Sequence, residues 1–203
     1  LSILYYKVRK LNFDTEKILS TIENDIIPKT RAGVLKGNKI FGGAILNKHD
    51  YSLIIADTNH ELDNPIWHGE MYVLKKFYEQ KNPPPTKDLI FLSTHEPCSM
   101  CLSAITWAGF DNFIYLFSYE ESRDLFAIPH DLNILNQVFN IKDGNYKKSN
   151  KYWTSYSIDE ILNNGKFENL KLLKQRTKNI KKCYDELSEL YQQTKASNHI
   201  PLN

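Results

Sequence analysis

Trp67-His68-Gly69-Glu70, followed roughly thirty residues later by Pro97-Cys98-Ser99-Met100-Cys101, decides how the chain is read. His68, Cys98 and Cys101 are three soft metal ligands. Zinc takes imidazole nitrogen and thiolate sulfur, and a structural zinc site closes with four protein ligands, so three leave a position for water. Cys98 and Cys101 stand three apart, so on a helix both sulfurs leave one face. In a first helical turn the positive end of the helix favours thiolate over thiol. His68 and Glu70 are about 200° apart on a helical wheel, so they do not both point squarely at one metal. That spacing suits one ligand and one flanking carboxylate able to move protons of the water.

Outward from the motif, helices and strands alternate. The spacing predicts a helix over 67–78 through Met71, Leu74 and Phe77, a short apolar strand over 89–92, and a helix from Pro97 or Cys98 to Gly109. An apolar strand over 113–117 follows. Upstream, Asp14 caps an amphipathic helix with Phe13 and Ile18 at the positions of a hydrophobic staple, and Pro28 is expected to end it. Residues 39–46 and 51–56 read as a hairpin around the turn at 47–50. Gly42 and Gly43 inside the first strand mark a place where a ligand or another backbone comes close. Residues 58–66 read as a loop, and Asn82-Pro83-Pro84-Pro85 breaks the chain. Beyond Ser118 the pattern loosens to helices over 129–139, 158–162 and 167–195, the last polar with a narrow apolar stripe. Strands alternating with helices point to a layered α/β fold. The expected organisation is a main domain over 1–140 and a helical extension over 141–203, packed on the domain or on a partner subunit.

A chain of 203 residues with 41% hydrophobic and 25% charged residues suits one soluble globular domain. No apolar run approaches the ~20 residues that span a bilayer, and no secretory pattern opens the chain. Two of the three cysteines sit in one Cys-x-x-Cys, which argues for a reducing compartment, so a cytoplasmic location is expected. Cys183 reads as a bystander thiol. Net charge is +2, divided as about −3 before Lys142 and about +5 from it onward. A solvated basic tail explains that division more simply than a nucleic-acid footprint.

His-x-Glu followed by Pro-Cys-x-x-Cys is the signature of zinc deaminases, and the chain resembles the cytidine/deoxycytidylate deaminase superfamily over roughly residues 38–118. The His-Gly-Glu form is similar to fungal cytosine deaminases, whereas residues 97–108 look more like bacterial guanine deaminases. The resemblance implies a three-layer α/β/α sandwich with a central mixed sheet (cytidine deaminase-like), a Zn(2+) cofactor on His68, Cys98 and Cys101, and Glu70 as the catalytic acid/base. It implies a hydrolase that releases ammonia from a nucleobase or related small molecule. A homodimer is expected, since oligomers are common in the superfamily. Asn59 corresponds to the family's base-binding asparagine, in a shorter loop than in cytosine or guanine deaminases. Gly43, Ala44, Gly69 and Trp67 are further candidates around the substrate, and Trp107, Phe117, Tyr119 and Trp153 could stack on a base or serve as lids.

Three other readings compete. A tRNA adenosine deaminase would use the basic C-terminal half to hold phosphates. A closed structural zinc site would draw a fourth ligand from His49, His60 or His95, of which His95 is best placed. A non-catalytic zinc-binding scaffold would keep the fold without turnover.

Overall fold

The computed structural model describes residues 13–203. The first helical stretch is one continuous run, α1 (Thr15–Thr21), a π turn (Ile22–Ile26) and α2 (Ile27–Val34). Asp14 caps it, its carboxylate accepting from the Lys17 amide at 3.1 Å. Pro28 does not end this helix, contrary to the sequence expectation. The π turn resets the hydrogen-bond register, with the Ile27 amide donating to Ile22 O. Pro28 therefore sits at the start of a fresh segment, where its missing N–H costs nothing.

Strands β1 (Gly42–Asn47) and β2 (Leu53–Thr58) form the expected hairpin. Then come α3 (Gly69–Tyr78), β3 (Leu89–His95), α4 (Ser99–Trp107) and β4 (Asn112–Phe117). The second half supplies α5 (Tyr119–Phe126), α6 (His130–Phe139), β5 (Thr154–Ser157), α7 (Ile158–Asn164) and α8 (Leu170–Thr194). The sheet order is β2-β1-β3-β4-β5, with β1 antiparallel to both neighbours and β3, β4 and β5 parallel. It is the mixed sheet of a three-layer α/β/α sandwich.

Period-two alternation divides the core between the two faces. Ala44, Leu46, Ile90, Leu92, Ile114 and Leu116 join the cluster built with α1, α2, α7 and α8. Ile45, Leu89, Phe91, Phe113 and Tyr115 join the cluster built with Val73, Leu74 and Phe77 of α3 and Ile105 of α4. The stripe of α8 is narrow but continuous: Leu173, Thr177, Ile180, Tyr184, Leu187 and Tyr191 are all buried. No helix among the described residues is long and apolar enough to cross a membrane.

Candidate active site

Because α3 and α4 pack on the same face of the sheet, their starts lie side by side. His68 is the residue before α3, in extended backbone (φ −60°, ψ 160°), and Glu70 is in its first turn. The helix therefore begins two residues later than the sequence spacing suggested, which releases His68 from helical geometry to face the sulfurs. Cys98 caps α4 and Cys101 lies in its first turn. The Cys101 amide points at Cys98 Sγ at 3.5 Å.

His68 Nδ1 lies 3.5 Å from Cys98 Sγ and 3.7 Å from Cys101 Sγ. Tetrahedral zinc with Zn–S near 2.3 Å and Zn–N near 2.0–2.1 Å separates its sulfur and nitrogen ligands by roughly 3.6 Å. The donor set thus fits that ion in both chemistry and spacing. Both cysteines are buried. The Cys98 thiol is held well below its ordinary value by a hydrogen bond from Cys101, and by His68, against the cost of burial. Burial pushes the Cys101 thiol up. Burial works against protonation of His68, but the Cys98 sulfur, Glu61 and Glu70 outweigh it and raise the imidazole to about 9.

Glu70 is buried and accepts a hydrogen bond from Ser93 Oγ at 2.9 Å. Burial raises its carboxyl, and the Cys98 sulfur adds to the rise, while His68 and the Ser93 hydroxyl oppose it. Glu70 is not one of the three residues whose ligand atoms converge within 4.8 Å of one another. None of the three alternative fourth ligands is in that group either. His95 is buried against Phe41, Phe117 and Tyr184, with Nδ1 3.0 Å from Thr94 Oγ1. His60 lies between Asp57 and Asp63 and stacks on Tyr72, while His49 sits in the hairpin turn. Cys183 is on α8, 3.8 Å from Arg31 Nη2.

Beside the metal group lies a cavity of about 270 Å³. Phe41, Met100, Ile128 and Ile134 give it apolar walls, and Lys39, Glu61, His130 and Asp131 give it charge. Pro201 and Leu202 from the C-terminal tail line it as well. Burial raises the Asp131 carboxyl to about 8, with further contributions from the Cys98 sulfur and Glu70.

None of the substrate candidates Asn59, Gly43, Ala44, Gly69 and Trp67 is among the residues that line this cavity. Asn59 is fully buried: its Oδ1 accepts from the Gly69 amide at 2.5 Å and its Nδ2 donates to Glu61 Oε2 at 2.8 Å. Gly43 lies under the start of α3, where an added Cβ would come 3.8 Å from Glu70 Cα. Ala44 points into the opposite core, towards α1 and α2. Trp67 turns away from the cavity, its ring 5.5 Å from both the Tyr72 ring and Lys75 Nζ. Phe117 is core, Tyr119 donates to Pro97 O at 2.5 Å, and Trp153 Nε1 donates to Thr106 Oγ1 at 2.7 Å. Trp107 is 90% exposed on α4.

Sequence reasoning missed Glu61, Lys39 and Asp131. Glu61 and Lys39 form a buried ion pair of 2.8 Å, and Glu61 Oε1 is 3.7 Å from His68 Nε2. Nothing local marks such a pair, whose members are separated by a hairpin; only the fold joins them. Asp131 opens α6, a helix that the sequence did reveal, but its approach to the cavity depends on how α6 packs.

Residues 28–117 match the family described as the cytidine and deoxycytidylate deaminase zinc-binding region. No curated protein sequence matches the chain. Among solved structures, guanine deaminase from Bacillus subtilis aligns at 21% identity over 68% of this chain and 87% of its own, with a TM-score of 0.52. The protein NE0047, as a variant in complex with 8-azaguanine, aligns at 14% identity over 87% of this chain and 86% of its own, with a TM-score of 0.51. A tRNA:A34 deaminase aligns at 20% identity over 64% and 92%, with a TM-score of 0.43. At these identities the likeness to the solved structures is one of fold.

Proposed function

We propose, on the premise that residues 28–117 match the cytidine and deoxycytidylate deaminase zinc-binding region, that the chain is a zinc-dependent hydrolase that releases ammonia from a free nucleobase. His68, Cys98 and Cys101 hold the ion. Zinc bound there supplies an activated water at neutral pH, the pKa of such a water falling near ~7. Glu70, buried beside the group, takes the proton of the attacking water. It returns protons to the ring nitrogen and to the departing amine, so the ring carbon exchanges an amino group for an oxygen and ammonia leaves. The raised Glu70 carboxyl suits that exchange, since a general acid/base works best with a pKa near the operating pH.

The observation that carries the substrate class is the cavity. At about 270 Å³ it is below the ~300–1,000 Å³ of sites for drug-sized ligands. Pro201, Leu202 and Ile128 line it alongside the charged groups. Phe41 and Ile128 offer apolar walls to a flat ring and Asp131 a group for its polar edge, while Lys39 is committed to Glu61. A polymer threaded to the same depth would have to displace the tail. The test is ammonia release from cytosine, guanine, adenine and their nucleosides by the zinc-loaded chain, with tRNA retention measured across a salt series. Release from a free base supports the reading. Tight retention of tRNA that falls steeply with salt, with no turnover of any base, would overturn it in favour of a nucleic-acid substrate. Zinc at full occupancy with no turnover of base, nucleoside or tRNA would leave a scaffold.

The apolar groove between α3 and α4 is the surface we propose for the expected homodimer. Ile66, Tyr78 and the exposed Trp107 border it. Sedimentation of the wild type and of Trp107→Glu measures it: the reading requires a dimer in the first and a weakened one in the second.

A further inference from the structure

Glu61 lies outside the metal-binding motif, yet two of its polar neighbours, Asn59 and His68 itself, tie it to the start of α3. Its side chain is 1% exposed. A carboxylate buried that deeply is costly unless it is paired. Oε1 accepts from Lys39 Nζ at 2.8 Å. Oε2 accepts from Asn59 Nδ2 at 2.8 Å and from the Lys39 amide at 3.3 Å. Asn59 then accepts from the amide of Gly69, the residue after His68. The remaining approach to Oε1 is from His68 Nε2, at 3.7 Å. Glu61, Asn59 and Gly69 thus form a hydrogen-bonded chain that ends beside His68, whose Nε2 faces Glu61, with Lys39 as the counter-charge.

His68 turns Nδ1 to the two sulfurs, so its proton belongs on Nε2. The group that faces this N–H sets the tautomer and fixes the orientation of the ring. We propose that Glu61 is the positioning residue that fixes His68 for metal binding through Nδ1, with Lys39 balancing the buried charge. A buried ion pair is by itself a weak source of stability, because desolvation offsets most of the attraction. A pair of apolar residues would spare the fold a buried charge, at the cost of leaving Asn59 Nδ2 and the Lys39 amide unpaired, and would leave His68 with no acceptor opposite its free nitrogen. The inference rests on His68, Cys98 and Cys101 holding a metal, and does not depend on which base is deaminated.

The experiment measures zinc affinity by chelator competition, and the visible spectrum of the cobalt(II)-substituted protein, on the full chain. Wild type is compared with Glu61→Gln and with the double variant Lys39→Met/Glu61→Leu. The second removes the pair without stranding a charge. Both variants are expected to bind zinc about 10–100-fold more weakly, with shifted cobalt bands, while the metal-free double variant still unfolds in one cooperative transition. If Glu61→Gln fails to fold because Lys39 is stranded, the double variant decides. A double variant that folds and holds zinc as tightly as wild type overturns the proposal. So does failure of both variants to fold, since Glu61 then serves the fold alone. A wild type that binds no zinc would sink the metal reading beneath it. Loss of zinc affinity in the variants, with no base deaminated by the wild type, would leave Glu61 in its role and overturn only the function.

Discussion

Gly69 at the start of α3 and Gly42 at the start of β1 meet backbone to backbone: a Cβ on Gly69 would lie 2.7 Å from Gly42 Cα. On the far side of the sheet, a Cβ on Gly42 would lie 2.6 Å from Ile26 Cγ2. All three layers therefore touch at one point, between the two residues that flank Gly69, His68 and Glu70. Gly69→Ala must push the start of α3 off the sheet. Overpacking costs typically ~1–3 kcal/mol, and alanine's better helix propensity returns at most ~1 kcal/mol. The expected result is a net loss of stability with weaker zinc binding, read by chemical denaturation and chelator competition. Unchanged values in both would show that α3 has room to move.

Glu70→Gln separates holding the ion from moving protons. The amide keeps the shape and can still meet Ser93, which donates to Oε1 at 2.9 Å. Zinc content is expected to stay at one ion per chain, while turnover of the best base falls by at least ~10²-fold. Loss of zinc together with activity would assign Glu70 to the metal site and remove it as acid/base.

The parts that the sequence revealed are those whose signal is local. His68, Cys98, Cys101 and Glu70 announce themselves by residue type and spacing, and the hairpin, α3, α4 and β4 by alternation, helical period and Gly109. The parts it hid depend on distant partners. β5 has only four residues, Thr154–Ser157, and the burial pattern of a half-covered edge. It becomes a strand because β4 offers it a parallel ladder. α5 carries a local sign of its own, a capping box between Ser118 and Glu121. Pro28 misled because a proline normally breaks a helix, and the π turn ahead of it is not visible in composition. Glu61 and Lys39 could not be found at all without knowing that the loop after β2 folds back on the residues ahead of β1.

Residues 141–203 were expected to form an extension, and Leu187 tests how firmly they belong to the core. Leu187 is fully buried, in one cluster with Ile18, Ile22 and the inward residues of β3 and β4. Leu187→Ala leaves a cavity there and is expected to cost about 2–5 kcal/mol, with a single unfolding transition by fluorescence and circular dichroism. A cost near zero, or a separate early transition for α8, would show a loosely docked appendage instead.

His95 makes the fold acid-sensitive independently of the metal. Its ring is boxed by Phe41, Phe117, Phe126 and Tyr184, and Nε2 has no hydrogen-bond partner among the described residues. Burial holds its pKa well below the ordinary 6.5. The unfolded chain therefore takes up a proton that the folded chain refuses. The stability tied to His95 is fully present above pH ~6.5 and declines as the pH falls below it. The slope approaches ~1.4 kcal/mol per pH unit, and the decline continues until the folded pKa is reached. His95→Phe keeps an aromatic ring in the box and has no proton to take up. Denaturant unfolding of metal-free protein between pH 8 and pH 5 should show wild type losing more stability than the variant, by at most about 2 kcal/mol. Parallel curves for the two proteins would mean that His95 is protonated in the folded state and that the aromatic box opens to admit water.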